Sequence, residues 1–569
     1  MTTTHFFGIL PFETVSSVVD SLSQKDRVSL ASTCHSVRQR LLPFLYHTLT
    51  FSNAPVISNS ALLAAQSHGK YVKALRFVGY AYKTDDDMDT DLWKRPILRR
   101  DTSILYVPRY DGQPDEDAPD YDEDGDSEYD SDEERREQEE DAEWLFELWE
   151  DWSSRHSIWE DCSTRPSRDQ LPPSAVALFH AARTKDQDGL FPNLETFSIS
   201  FPHDYSQQAD FIPLGADGMF GDLELSWGDV SRRESNFTMC RLWRNTFEEV
   251  SKNYGIAPRK LVLENWHPRG VTTFQSQMWS AYLSKLECFE VNLMASNLNG
   301  GHADTLITQV DGYVHSVGRM DEFFFRHLTE VKELTVSMGG LGMPEDSQAH
   351  LLFGLEKGEG RWERQQGHVP LPPLHNPDLM PCLEEVTLKH IFISQSIVDL
   401  IVSRRDKLKK LELVNAQAYV PPEYNGEPSD WERPAPMSWE AFFDAVCGAL
   451  DTYHDMALSE LTFTSPVNMG DQELEREARR HTRHTSVDSR NQMRKRVEIL
   501  AGAHPERRLF GYGCQRGCFL DDPEANARSI EEGKDMAAFS RFVGKMHEKK
   551  ERDRYKEFAV QVKEASADA

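Results

Sequence analysis

The chain has 569 residues, with 63 Lys and Arg against 94 Asp and Glu, a formal net charge of −31 and 39% apolar content. That length exceeds one ordinary domain, and the low apolar share implies folded regions interrupted by solvated segments. So acidic a balance argues against a nucleic-acid binder, because phosphate backbones repel it. No apolar run is long enough to span a bilayer and residues 1–5 lack a basic signal-peptide region, so no membrane association is expected and the location expected is cytoplasmic, nuclear or both. The eight cysteines (34, 162, 240, 288, 382, 447, 514 and 518) are scattered, as in a reducing compartment.

Ile9-Leu10-Pro11-Phe12-Glu13 opens an apolar ladder. Pro11 suits the first turn of a helix, where its missing N–H would be unpaired anyway, and Val15, Val18, Val19 and Leu22 follow at the i, i+3, i+4, i+7 spacing of one helical face. The Ser23 hydroxyl can cap a second helix, with Asp26 favouring its positive N-terminus. Val28, Leu30, Ala31, Cys34, Val37 and Leu41 continue the stripe to Leu42-Pro43-Phe44-Leu45-Tyr46. Three short helices are implied, too small for a large core, so their apolar surface is expected to be shared with a partner.

Leu10-Pro11-x-Glu13, x-Val15-x-x-Val18-Val19-x-x-Leu22, Asp26-x-x-Ser29-Leu30-Ala31-x-x-Cys34 and Leu42-Pro43-x-Leu45-Tyr46 together resemble an F-box of the fungal type over residues 8–52. Val37 stands where many F-boxes carry Trp. The resemblance implies a non-catalytic adaptor of an SCF-type ubiquitin ligase. Its module would bind a Skp-type linker, and through it a cullin, by Leu10, Pro11, Glu13, Val15, Val18, Val19, Leu22 and Leu30. The rest of the chain would hold a protein substrate whose identity the residues do not specify, and no cofactor is implied.

Residues 111–143 carry nineteen acidic side chains against Arg135 and Arg136 alone, more than half of the net charge. Self-repulsion and few apolar groups predict a largely disordered insertion over 82–143, with a helix after Ser131 running toward Trp149. Ser131-Asp132-Glu133-Glu134 also resembles an acidophilic-kinase site.

Beyond this tract an apolar 1-4-6 pattern recurs: Leu194-x-x-Phe197-x-Ile199, Leu286-x-x-Phe289-x-Val291, Val331-x-x-Leu334-x-Val336, Leu383-x-x-Val386-x-Leu388, Leu408-x-x-Leu411-x-Leu413 and Leu458-x-x-Leu461-x-Phe463. Val72-x-x-Leu75-x-Phe77 precedes the tract, and Pro258-x-x-Leu261-x-Leu263 fits with Pro at the first place. This is the strand signature of leucine-rich repeats, with helices predicted between strands at 237–250, 274–283, 321–328, 396–403 and 439–450. The spacing is irregular, and the Asn or Cys expected three places after the last apolar residue is replaced by Trp266, Met294, Gly339, Ile391 and Ala416. Residues 190–466, with a first strand at 70–80, therefore resemble a degenerate leucine-rich-repeat region for substrate binding; an ordinary parallel α/β domain is the competing reading.

Pro- and Gly-rich inserts at 339–381 and 418–436 read as loops, the latter offering Tyr419, Tyr424 and Trp431 as recognition aromatics. Nucleotide, hydrolase and zinc-protease motifs are absent. His481-x-x-His484 with His504, Cys514 and Cys518 is the best metal candidate, but the loose Cys-x-x-x-Cys argues for no metal. Residues 467–569 read as a charged, helical tail, with Ala538, Phe539, Phe542, Val543 and Met546 on one face; Arg494-Lys495-Arg496 is weak as a nuclear address. The expected fold is thus mixed α/β, a three-helix F-box followed by an irregular leucine-rich-repeat-like solenoid. The alternatives in function are an F-box scaffold acting outside a ligase and an α/β enzyme.

Overall fold

The computed structural model describes residues 15, 18–19, 21–79, 170–182, 189–201, 226–236, 238–254, 258–266, 268–294, 311–339, 371–420, 437–454, 456–465, 487–504, 507, 509–516 and 518–567. After helical residues at Val15, Val18 and Val19 come α1 (Gln24–Ala31), α2 (His35–Leu45), β1 (Thr48–Ser52), α3 (Pro55–His68), β2 (Ala74–Val78), α4 (Pro173–Ala181) and β3 (Thr196–Ser200). The middle of the chain forms α5 (Trp227–Asn236), α6 (Thr238–Ser251), β4 (Lys260–Trp266), α7 (Gln277–Leu283), β5 (Cys288–Met294), α8 (Asp311–Gly318), α9 (Met320–Phe323) and β6 (Glu333–Gly339). There follow β7 (Glu385–Phe392), α10 (Gln395–Ser403), β8 (Lys410–Tyr419), α11 (Trp439–Thr452), β9 (Glu460–Phe463), α12 (Val487–Ala503), β10 (Tyr512–Arg516), β11 (Cys518–Asp521), α13 (Pro523–Glu532) and α14 (Lys534–Ala567).

All eleven strands form one sheet in which β1 to β9 lie side by side in chain order, every pair parallel; β10 runs parallel to β8 beyond β9, and β11 returns antiparallel to β10. Each 1-4-6 pattern becomes a strand, and its fourth and sixth places fall into register. Leu75, Phe197, Leu261, Phe289, Leu334, Val386, Leu411 and Leu461 form one row, with Phe77, Ile199, Leu263, Val291, Val336, Leu388, Leu413 and Phe463 forming the next. Side chains two apart share one face of a strand, so these rows put the apolar surface on one side of the sheet. Helices pack there: Ala61 and Ala65 of α3, Phe179 of α4, Trp243 and Phe247 of α6, Trp279 of α7, Ile397 and Leu400 of α10 and Phe443 of α11 all join the strand rows in one continuous buried core.

The strand starts share one hydrogen-bond device. At most of these starts the carbonyl before a strand accepts two consecutive N–H groups of the next, as Lys73 does from Glu195 and Thr196, Glu287 from Lys332 and Glu333, Lys332 from Glu384 and Glu385, and Lys409 from Ser459 and Glu460, while Glu195 accepts from Lys260. At the other end, three non-glycine residues are left-handed at the second place after the last apolar residue: Asn265 (φ 52°), His390 (φ 58°) and Asn415 (φ 52°). A left-handed residue interrupts the alternation and re-aims the next side chain. Trp266, Ile391 and Ala416 are thereby buried in the core, which accounts for the apolar residue at three of the five places where a repeat Asn or Cys was expected.

The mixed α/β class is realised, but the solenoid of repeats is not. A solenoid advances by comparable units, whereas β7 and β8 are separated by residues 393–409 and β2 and β3 by residues 79–195, so the result is one parallel sheet with unequal connections. The predicted helices are present at 238–251, 277–283, 395–403 and 439–452; the stretch at 321–328 divides into α9 and a 3-10 turn at Phe325–His327. Two boundaries also move. Residues 48–52, assigned to the helical module, form β1, with Leu49 beside Leu75 and Phe51 beside Phe77. The supposed tail from 467 supplies β10, with Tyr512 beside Ala418, and its last helix α14 packs on α11 while α12 and α13 pack on each other.

Candidate partner-binding surfaces

The N-terminal module closes a core of its own. Val15, Val19, Ala31, Val37 and Leu41 are buried together, with Leu30, Cys34, Phe44 and Leu45 packed around them. Ser23 caps α1 as its sequence predicts, its hydroxyl donating to the Asp26 carboxylate (2.6 Å) and accepting from the Asp26 N–H (3.2 Å). Arg27 Nε donates to the Val19 carbonyl at 2.9 Å and ties the first helical residues to α1. The partner-contact residues expected from the sequence therefore divide. Val15 and Val19 are spent inside the module, Leu22 and Leu30 are half-buried, and Val18 faces solvent at 39% exposure. Leu10, Pro11 and Glu13 lie outside the described residues. Val28, read as part of the apolar stripe, is 54% exposed and joins Val18 as a free apolar group.

The module is seated on the sheet at its first edge. The Tyr46 ring stacks on His68 at 4.3 Å, and the His47 carbonyl accepts from Lys73 N–H (2.9 Å) and Ala74 N–H (3.0 Å). Gly69 sits where this junction meets the 189–194 loop: a Cβ there would lie 2.0 Å from the Leu190 carbonyl oxygen, which only glycine avoids.

The sheet face opposite the core is polar. Arg76 of β2 reaches over β3 to Glu264 of β4, its Nε 2.9 Å from the carboxylate, and Lys260 pairs with Glu290 at 2.6 Å. Along the strand starts Lys73 pairs with Glu195 (3.0 Å), Arg259 with Glu287 and Glu333 (3.1 and 3.2 Å) and Lys409 with Glu384 (2.9 Å). Charges of opposite sign thus meet across neighbouring or next-but-one strands, so the face carries hydroxyls and paired ions.

At the far end of the sheet a buried carboxylate joins three elements. Asp535 accepts from the Tyr512 hydroxyl of β10 (3.0 and 3.1 Å), the Ser529 hydroxyl of α13 (2.5 Å) and the Glu440 N–H at the start of α11 (2.8 Å). Burial, with the Asp535 charge beside it, pushes the Tyr512 hydroxyl well above the ordinary phenol range, so it stays a donor. Gly533, at φ 66°, makes the left-handed turn between α13 and α14 that brings Asp535 into place.

The other sequence candidates are not brought together. Tyr419, expected on a recognition loop, belongs to β8, is buried and meets Phe392 at 5.2 Å; Tyr424 and Trp431 lie outside the described residues. His481 and His484 also lie outside them, His504 follows the end of α12, and in the β10–β11 hairpin Cys514 stands opposite Leu520 while Cys518 stands opposite Arg516. Among the described residues no group of three His, Cys, Asp or Glu is placed to hold a metal ion, and no helix is long and apolar enough to cross a membrane. The acidic tract and Ser131 are outside the described residues as well. Compared with known proteins, the chain matches no family model, no curated protein and no solved structure.

Proposed function

We propose that this chain is a substrate-holding adaptor of an SCF-type ubiquitin ligase. Its N-terminal module is read as an F-box that docks a Skp-type linker and, through it, a cullin, and the parallel-sheet region is read as the holder of a protein substrate. The observation that carries the reading is the module itself. It is a small helical unit with its own core, bearing the F-box residue pattern, and it leaves Val18 and Val28 in solvent. Apolar side chains on so small a unit are what a partner would cover. An adaptor of this kind performs no bond chemistry; it acts by proximity, raising the effective concentration of substrate lysines near a charged conjugating enzyme.

The test is co-purification of the full chain with a Skp-type linker and cullin, beside a Leu10→Ala/Pro11→Ala variant. The parent retains both partners, and the variant loses ~2 kcal/mol or more of linker binding with its sheet intact. Equal affinity of variant and parent overturns the reading, and retention of linker without cullin moves the protein to a scaffold acting outside a ligase. Deleting residues 1–52 is the poorer probe, because it also removes β1.

A further inference from the structure

From residue 41 to residue 69 the chain carries no Asp, Glu, Lys or Arg. At the chain's own average of 28% charged residues, a stretch this long would hold about eight. Burial does not account for the deficit. Thr48 and Thr50 of β1, and Pro55, Val56, Asn59, Ser60, Leu63, Gln66 and Ser67 of α3, are all exposed, and not one is charged. Val56 and Leu63 fall seven residues apart on one side of α3 and are 67% and 65% exposed.

The same stretch contains the first edge of the sheet. Among the described residues β1 pairs only with β2, so no described strand lies along its other side. Edge strands are ordinarily guarded by Lys, Pro or an inward charge, and Thr-Leu-Thr-Phe-Ser has none of these. Interfaces, by contrast, are depleted of charge at their centres.

We propose that the outer face of α3, together with the β1 edge, is a docking surface for the same Skp-type linker that the adaptor reading places on the helical module, extending that interface past the module. The inference rests on that reading. The uncharged stretch begins inside α2 and is continuous with the module, and the Tyr46–His68 stack fixes the end of α3 against it. The occupant is therefore a protein with an apolar, charge-poor contact surface that already touches the module.

The experiment measures linker binding by the full chain and by a Val56→Lys/Leu63→Glu variant, with thermal unfolding and sedimentation of each. Both side chains are solvent-facing, so the variant is expected to melt with the parent and to bind the linker at least about tenfold more weakly. Parent-like affinity in a normally folded variant overturns this inference while leaving the adaptor reading in place. Absence of binding by the parent overturns both. A parent that self-associates and a variant that is monomeric, with unchanged linker affinity, assigns the face to a second copy of the chain and likewise overturns it.

Discussion

Arg404 is 2% exposed and spends its guanidinium on main-chain carbonyls: Nε on Leu374 (2.9 Å), Nη1 on Met380 (3.2 Å), and Nη2 on Asn376 and Leu379 (2.7 Å each). One side chain thereby satisfies the buried carbonyls of the 371–381 loop. The fork geometry of arginine suits this; a lysine offers no planar array. Burial pulls its pKa down to about 10, the cost of holding a cation there. Cysteines at the same scale show how environment sets reactivity. Cys288 is buried, hydrogen-bonded to Glu333 and pushed up to about 11, and Cys447 is also raised by burial, whereas Cys382 is exposed. Since the thiolate is the reactive species, alkylation of the folded protein at pH 8 should label Cys382 while leaving Cys240, Cys288 and Cys447 unmodified until denaturant is added. Mass spectrometry of the digest checks this, and labelling of Cys288 at the rate of Cys382 contradicts it.

Among elements, the join of α11, β10, α13 and α14 is the feature hardest to read from the sequence. Aromatic packing surrounds it: Trp439 lies 5.0 Å from Phe463 and 6.0 Å from Phe510, Phe443 meets Phe539 and Phe542 at 5.3 and 5.6 Å, and the Trp439 indole N–H donates to the Gly511 carbonyl at 3.1 Å. Arg541 pairs with Asp444 at 2.7 Å and Lys545 with Asp451, so α14 lies alongside α11. Asp535→Ala would leave the Tyr512 and Ser529 hydroxyls and the Glu440 N–H without their acceptor. The expected loss is about 3 kcal/mol of unfolding free energy, read as a lower denaturant midpoint of the sheet region, since hydrogen bonds to a charged, buried acceptor are the strong class. An unchanged midpoint would show that the aromatic packing alone holds the C-terminal helices. Ala538, Phe539, Phe542, Val543 and Met546 read as one helical face from their spacing, and that face packs on the core except at Val543, which is 47% exposed. What it packs against is not legible, because Tyr512-Gly-Cys-Gln-Arg lacks the alternation that marks a half-buried strand. β1 escapes sequence reading for a different reason: Tyr46-x-x-Leu49-x-Phe51 carries the same 1-4-6 spacing as its neighbours, but it runs on directly from the helical module that precedes it.

For the whole molecule, the described residues hold one large core and two small ones, that of the module and that of Val497, Ala501, Ala527 and Ile530 between α12 and α13, and the module's separate core predicts a stability of its own. The sheet core runs without interruption from Leu49 to Phe542, whereas Val15, Val19, Ala31, Val37 and Leu41 form a separate cluster. A core of five buried residues supports less cooperative protection than one that spans ten parallel strands. Hydrogen exchange should therefore show amides of 24–45 opening at lower free energy than those of β3 to β8. On the proposed adaptor reading, adding a Skp-type linker should raise the protection of the module, and of α3 and β1 where the linker docks there, while leaving β3 to β8 unchanged. Uniform exchange across both regions would mean that module and sheet unfold as one unit.

The strands from β2 to β9, and the face each buries, follow from local pattern alone, because a 1-4-6 spacing of apolar groups admits one inward side and the hydrophobic gain of covering it is local to each strand. So do the capped α1 and the amphipathic helix near 538–546, for the same reason of short-range periodicity. Long-range packing, by contrast, joins these strands in one sheet of unequal connections, turns Asn265, His390 and Asn415 left-handed to bury the residue after them, and spends Val15 and Val19 on the module's own core but not Val18 and Val28. Those outcomes depend on contacts between residues far apart in the chain, Tyr512 with Asp535 or Tyr46 with His68, whose partners no local pattern names.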